Sequence, residues 1–151
     1  MTTVFDATTR DALIARTEAL HGQSTPRWGK MTVYQMITHC LIWNRWVLGV
    51  DNPIPYRHDL LGRIFGRRAL RNATKDDRPI PRHAPTGKAF LVADTTGDVV
   101  QARLRLVDTI RAFADFDNPD YLHDFFGKMT RDQIGIFAFK HTDHHLRQFG
   151  V

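Results

Sequence analysis

Near the end of the chain, His141-Thr-Asp-His-His145 sets two imidazoles four residues apart, with a third, His144, beside the second. On a helix, residues at i and i+4 lie one above the other, so His141 and His145 point the same way, whereas His144 is turned about 100° from His145. The surrounding residues supply that helix. Thr130 and Gln133 have capping-box spacing, Gly150 stands where a helix stops, and Ile134, Phe137, Ala138, His141, His145 and Gln148 recur at three- and four-residue intervals. The two histidines therefore continue an apolar stripe and face whatever that stripe packs against. That arrangement suits a metal ion.

A third ligand has to come from another element. Val33 to about Gly49 reads as a second amphipathic helix, with Met36, Cys40, Trp43 and Val47 as its main stripe and His39 flanking that stripe. A histidine in this place is usually a core-edge residue satisfied by a carbonyl, but its level along the helix matters. At about 1.5 Å per residue, His39 lies roughly 10 Å from a cap at Thr32, and the midpoint of His141 and His145 lies roughly 20 Å from the cap at Thr130. Two antiparallel helices about 30 Å long bring all three to one level; parallel packing separates them by about 9 Å. Three neutral imidazoles leave a tetrahedral position open, the pattern of catalytic rather than structural zinc. Zinc is the first choice, and nickel, iron or manganese would also accept imidazole. Cys40 sits on the buried stripe, where free cysteines are common and inert. His123 precedes the last helix by about seven residues and falls toward its far end from His145.

Composition bounds the rest. A chain of 151 residues, 42% hydrophobic and 25% charged, is expected to form one domain spanning 1–151 with its own core. One cysteine excludes an intrachain disulfide, the N-terminus lacks the apolar core of a signal peptide, and a cytoplasmic location follows by default. Asn44 and Arg45 interrupt the most apolar stretch, so no membrane span is expected. Fifteen Asp stand against one Glu, Glu18, so the chain cannot supply the several helical Glu residues of a ferritin-like di-iron site. The net charge of +5 is local. Between Arg57 and Lys88, nine Lys or Arg face three Asp, a charge of +6 that leaves −1 for all other residues.

The remaining elements follow in order. Residues 6–21 read as a first helix ending at His21-Gly22. Gly29-Lys-Met-Thr32 recurs as Gly127-Lys-Met-Thr130, two helices started by the same capping chemistry. From Asp51 to Asp98 the periodicity weakens and prolines cluster at 53, 55, 79, 81 and 85, which reads as a long connection. Within it, Leu60, Leu61, Ile64, Phe65 and Ala69 form one short helical strip opposite Arg63, Arg67, Arg68 and Arg71. Such a turn suits a membrane surface or phosphates, but the expected arrangement is the apolar strip tucked against the bundle beneath a solvated basic face. Ala89-Phe-Leu-Val-Ala93 is either strand-like or a tether to the core. A third helix begins near Asp98 and runs to about Phe116. Four helices with one long link between the second and third give an all-α, up-down-down-up four-helix bundle, which makes the second and last helices antiparallel.

These residues carry a resemblance. His39 on the second helix, the His141 to His145 run and the Arg147-Gln148 that follows resemble the DinB-like superfamily of four-helix-bundle metalloproteins, also called YfiT-like. From Trp28-Gly-Lys-Met to the terminal Arg-Gln-Phe-Gly the chain is similar to a branch known only as a domain of unknown function. The resemblance implies a metal held by one histidine of the second helix and two of the last, which fall on His39, His141 and His145. It also implies reactions of the kind carried by some relatives, thiol-dependent S-transfer among them.

The expected function is accordingly a metal-dependent enzyme that transfers a low-molecular-weight thiol to a small electrophile. A hydrolase acting through metal-activated water and a non-enzymatic metal-binding stress protein are the alternatives. Only Asp143 and Asp108 are carboxylates on the flanking helices, so the metal-plus-Glu pairing of zinc peptidases is missing. Expected partners are a small-molecule substrate, the thiol, and a second copy of the chain in a homodimer. Neither nucleic acid nor a membrane is expected, and the basic segment is expected to flank the mouth of the metal pocket and attract anions.

Overall fold

The structure is a computed structural model that describes every residue except Asn52 and Pro85, so the last proline of the expected cluster lies outside the described residues. Among those described it contains five α-helices and no strand: α1 (Ala7–Glu18), α2 (Val33–Leu48), α3 (Leu60–Thr74), α4 (Val99–Ala112) and α5 (Arg131–Gln148). Short 3-10 turns occupy Lys88–Phe90 and Phe113–Asp115.

Both capping boxes form. Thr32 Oγ1 accepts from Gln35 N while Gln35 Oε1 accepts from Thr32 N, and Thr130 and Gln133 repeat the exchange at α5. Both copies of the repeated Gly-Lys-Met-Thr turn open on a glycine of positive φ, Gly29 at 81° and Gly127 at 73°, the left-handed region that glycine enters without steric cost. The first helix is shorter than its periodicity predicts. It stops at Glu18 because Arg103 on α4 donates to the carbonyls of Glu18 and Leu20, which ends the intrahelical ladder and drives Leu20 into the core.

End contacts orient the helices. Tyr34 at the start of α2 lies against Gly97, just before α4, and Asn118, just after α4, donates to the carbonyl of Val47 near the end of α2. Asn44 and Thr109 join the two helices midway through a buried hydrogen bond of 3.0 Å. Alpha5 finishes where α2 begins, since Gln148 Nε2 donates to the carbonyl of Trp28 at 2.9 Å, and Phe137 near its start packs on Trp43. Alpha1 follows α5: Val4 N bonds the carbonyl of Gly135, and Arg16 bonds both Asp143 and the carbonyl of Val151. A buried cluster including Leu13, Met36, Ile37, Trp46, Val47, Leu106, Ile110, Phe113 and Leu146 fills the space these helices enclose.

The long connection departs from expectation. Its short helical turn is a full helix of 15 residues, α3, capped by Asp59 on Gly62 N, so the described residues form five α-helices rather than four. Its apolar strip is also not tucked inward. Leu60, Leu61, Ile64 and Phe65 are 58–73% exposed, and α3 packs instead through Gly62, Gly66, Leu70 and Thr74. The reason is a close backbone approach: a Cβ on Gly62 or Gly66 would fall on the carbonyl oxygen of Phe125. Lys140 of α5 completes the seat by donating to the carbonyls of Ala73 and Asp76 at the end of α3. Gly66→Ala is therefore expected to destabilise the protein by about 2 kcal/mol, since overpacking a tight contact costs about 1–3 kcal/mol. Urea denaturation checks it, and unchanged stability would mean that α3 is not held by this contact. The Ala89–Ala93 segment is a tether, with Phe90 buried in a 3-10 turn.

Candidate metal centre

The three predicted ligands meet. His39 reaches the site from the middle of α2, His141 and His145 from successive turns of α5, and one nitrogen of each ring lies within 4.8 Å of the others. His39 Nε2 and His141 Nε2 approach to 3.1 Å. Two imidazole ligands on tetrahedral zinc stand about 3.3 Å apart, given Zn–N bonds of about 2.0–2.1 Å, so this pair is already near ligand spacing. His39 and His145 are buried, and His141 retains a small exposed share although its Nδ1 is wholly buried.

Two of the rings are held by their far nitrogens. His39 Nδ1 donates to the carbonyl of Phe90 at 2.9 Å. His145 Nδ1 lies 2.9 Å from Gln148 Oε1, and Gln148 Nε2 in turn donates to Trp28 O, which sets the amide with its oxygen toward the imidazole. Each acceptor fixes the proton on Nδ1 and leaves Nε2 with a free lone pair, the outer support that metal-bound histidines commonly have. His141 has no such partner among the described residues; its ring stacks on Trp43 at 4.3 Å between centroids. Trp43, a residue of the apolar stripe of α2, thus packs directly against the His141 ring.

Burial lowers the proton affinity of all three. Desolvation is the largest cause in each case. It depresses His39 against the opposing pull of the Phe90 carbonyl, puts His141 well below the usual imidazole range with further repulsion from His145 and His39, and pushes His145 down to about 3. The rings are therefore neutral near pH 7, the form that binds a metal.

The other candidates are placed apart. His144 turns away to the carbonyl of Ile80 at 3.3 Å and lies in a cleft of about 180 Å³ with Trp28, Pro79 to Arg82 and Arg147. His123 is buried one aromatic layer away, against Phe137, Phe126 and Trp46, with Nδ1 toward the backbone N–H groups of Phe125 and Phe126 and the Asp124 carboxylate. Cys40 is buried, and burial pushes its thiol upward, away from the reactive thiolate. Gln35 spends its amide on the Thr32 cap and on the carbonyl of Val92. Asp143 is held by Arg16 at 2.8 Å, and Asp108 is an exposed residue beside Arg111. The Phe90 carbonyl carries no side-chain signature and could not have been read as part of the site, whereas Gln148 was visible as a stripe residue three positions from His145.

The basic segment reaches the site only in part. Within it, Ile80 contacts His144 and Arg82 lies over the Trp28 ring at 4.6 Å, while the residue that contacts His39, Phe90, falls just beyond its end. Arg67 and Arg68 point to solvent on α3. No helix among the described residues is long and apolar enough to cross a membrane.

No curated protein and no solved structure matches this chain. A family model described as "Protein of unknown function (DUF1569)" matches residues 4–150, nearly the whole length. The chain, with its three converging histidines, thus belongs to the DUF1569 family.

Proposed function

We propose that this protein is a metal-dependent enzyme of DinB-like architecture, with zinc held by Nε2 of His39, His141 and His145. The observation that carries the metal reading is the convergence of the three rings while Phe90 and Gln148 hold the far nitrogens of two of them. The end contacts of α1, α2, α4 and α5 support an up-down-down-up bundle, to which α3 is an addition on the α5 side.

A divalent ion held by neutral imidazoles supplies a Lewis acid that lowers the pKa of a coordinated thiol or water. The surrounding residues favour the thiol. Hydrolysis is best served by a carboxylate general base, and Asp143, the nearest candidate in sequence, is committed to Arg16. A thiol, with an ordinary pKa of about 8.5, needs no such base once coordinated. The reading is therefore transfer of a low-molecular-weight thiol to a small electrophile, with Trp43 and Phe137 as apolar walls.

The test offers zinc-loaded protein a chlorinated aromatic or an epoxide, with and without glutathione, bacillithiol or mycothiol. Turnover is expected only with both metal and thiol. Metal-dependent turnover without any thiol would replace the transferase with a hydrolase, and absence of turnover with every pair would overturn the enzymatic reading while leaving the metal site to its own test.

A further inference from the structure

The outward face of α3 is unlike the rest of the surface. Leu60, Leu61, Ile64 and Phe65 are 73%, 64%, 64% and 58% exposed and cluster on the first two turns. Arg63, Arg67, Arg68 and Arg71 are exposed around and beyond them. The helix contains no acidic residue, and its one nearby carboxylate, Asp59, caps Gly62 N. At the far end Asp76 is paired with Arg78, and Asp77 accepts from the N–H of Thr2.

This face is fixed outward. The opposite side of α3 is seated by Gly62 and Gly66 on the backbone of Phe125 and by Lys140 on the last carbonyls, so the large apolar side chains cannot turn inward without unseating the helix. The expectation of no membrane contact rested on that strip being buried, and its exposure removes the ground for it.

We propose that α3 is an interfacial helix that lays this protein on an anionic lipid surface. Leu60, Leu61, Ile64 and Phe65 enter the boundary between headgroups and acyl chains, and the four arginines meet lipid phosphates and carboxylates. Charge decides between the candidate occupants. A second copy pairing face to face would oppose four arginines with four and provide no carboxylate on either side. Nucleic acid would satisfy the arginines but leave four large apolar side chains uncovered. An anionic bilayer takes both at once, and a helix of 15 residues, about 22 Å long, lies along it rather than across it.

The test is co-sedimentation of the full chain with vesicles of phosphatidylcholine alone or of equimolar phosphatidylcholine and phosphatidylserine. Binding is expected to the anionic vesicles, to fall with added salt, and to be lost in Leu61→Ser, Phe65→Ser. The Arg67→Gln, Arg68→Gln variant should bind about 25-fold more weakly, about fivefold for each arginine near an anionic surface. Far-ultraviolet circular dichroism should be unchanged in both variants, because all four positions are exposed; a changed spectrum moves the same test to Leu60→Ser, Ile64→Ser. Equal binding to neutral and anionic vesicles, no binding to either, or full retention in both variants would overturn the proposal. So would a concentration-dependent dimer abolished by Phe65→Ser, or binding to a DNA duplex without binding to vesicles.

Discussion

Protein purified without a histidine tag is expected to hold about one divalent ion per chain, and His141→Ala is expected to reduce that to near zero. Three imidazoles make the site, and losing one leaves two ligands where stable protein sites use three or four. His141 is also the ring whose Nε2 meets His39 Nε2 at 3.1 Å, so its loss removes a pair already near ligand spacing. His144→Ala should leave metal content intact, because that ring faces the carbonyl of Ile80 and the Trp28 cleft. Gln148→Ala should fall between the two. It removes the acceptor that orients His145, a change that typically weakens metal affinity by about 10–100-fold, while leaving all three ligands in place. Metal analysis of each variant, with a competing chelator to rank affinities, separates these outcomes. Full metal retention in a His39→Ala, His145→Ala double variant would sink the assignment.

The second large effect is expected in the metal-free protein, which should lose stability as pH falls from 7.5 to 5. His39, His141 and His145 all titrate below their unfolded value near 6.5, His145 at about 3, chiefly because burial disfavours the cation. Below pH 6.5 the unfolded chain therefore binds protons that the folded chain does not, and stability falls with pH until each folded pKa is reached. The stability is fully present above the unfolded value and, for His145, its loss continues toward pH 3. An imidazole held neutral through that window costs about 1.4 kcal/mol per pH unit, so His145, which titrates at about 3, accounts for a loss of about 2 kcal/mol by pH 5. His39 and His141, lowered by the same burial, add to that loss in the same direction, against the about 5–15 kcal/mol that holds a typical domain together. Asp76 and Asp124 are shifted downward within the carboxylate range, so a comparison at pH 7.5 and 5 isolates the histidines. Urea denaturation of chelated protein at the two values measures the effect. Equal midpoints would show that the rings are not held neutral, and saturating zinc at pH 7.5 should raise the midpoint, since a ligand that binds only the folded form stabilises it.

The clustering of the three histidines was legible in the sequence because its information is local. Thr32 with Gln35 and Thr130 with Gln133 start two helices, and the i, i+4 spacing of His141 and His145 aims both rings along one stripe. Counting from those caps then placed His39 at the same level. Five helices, rather than four, follow from the Leu60 to Ala69 pattern, whose period was visible but whose length was not. Its orientation was hidden for a physical reason. Periodicity marks an apolar face and a basic face, but which side is buried depends on how closely another backbone approaches, and here Gly62 and Gly66 meet Phe125 while the leucines face outward. The supports of the site were likewise beyond local reading, because a main-chain acceptor such as Phe90 O has no residue type to announce it. The same holds for Asp143: Arg147, four residues on, approaches it only to 3.9 Å, and the packing of α1 along α5 brings Arg16, 127 positions away, to claim it at 2.8 Å.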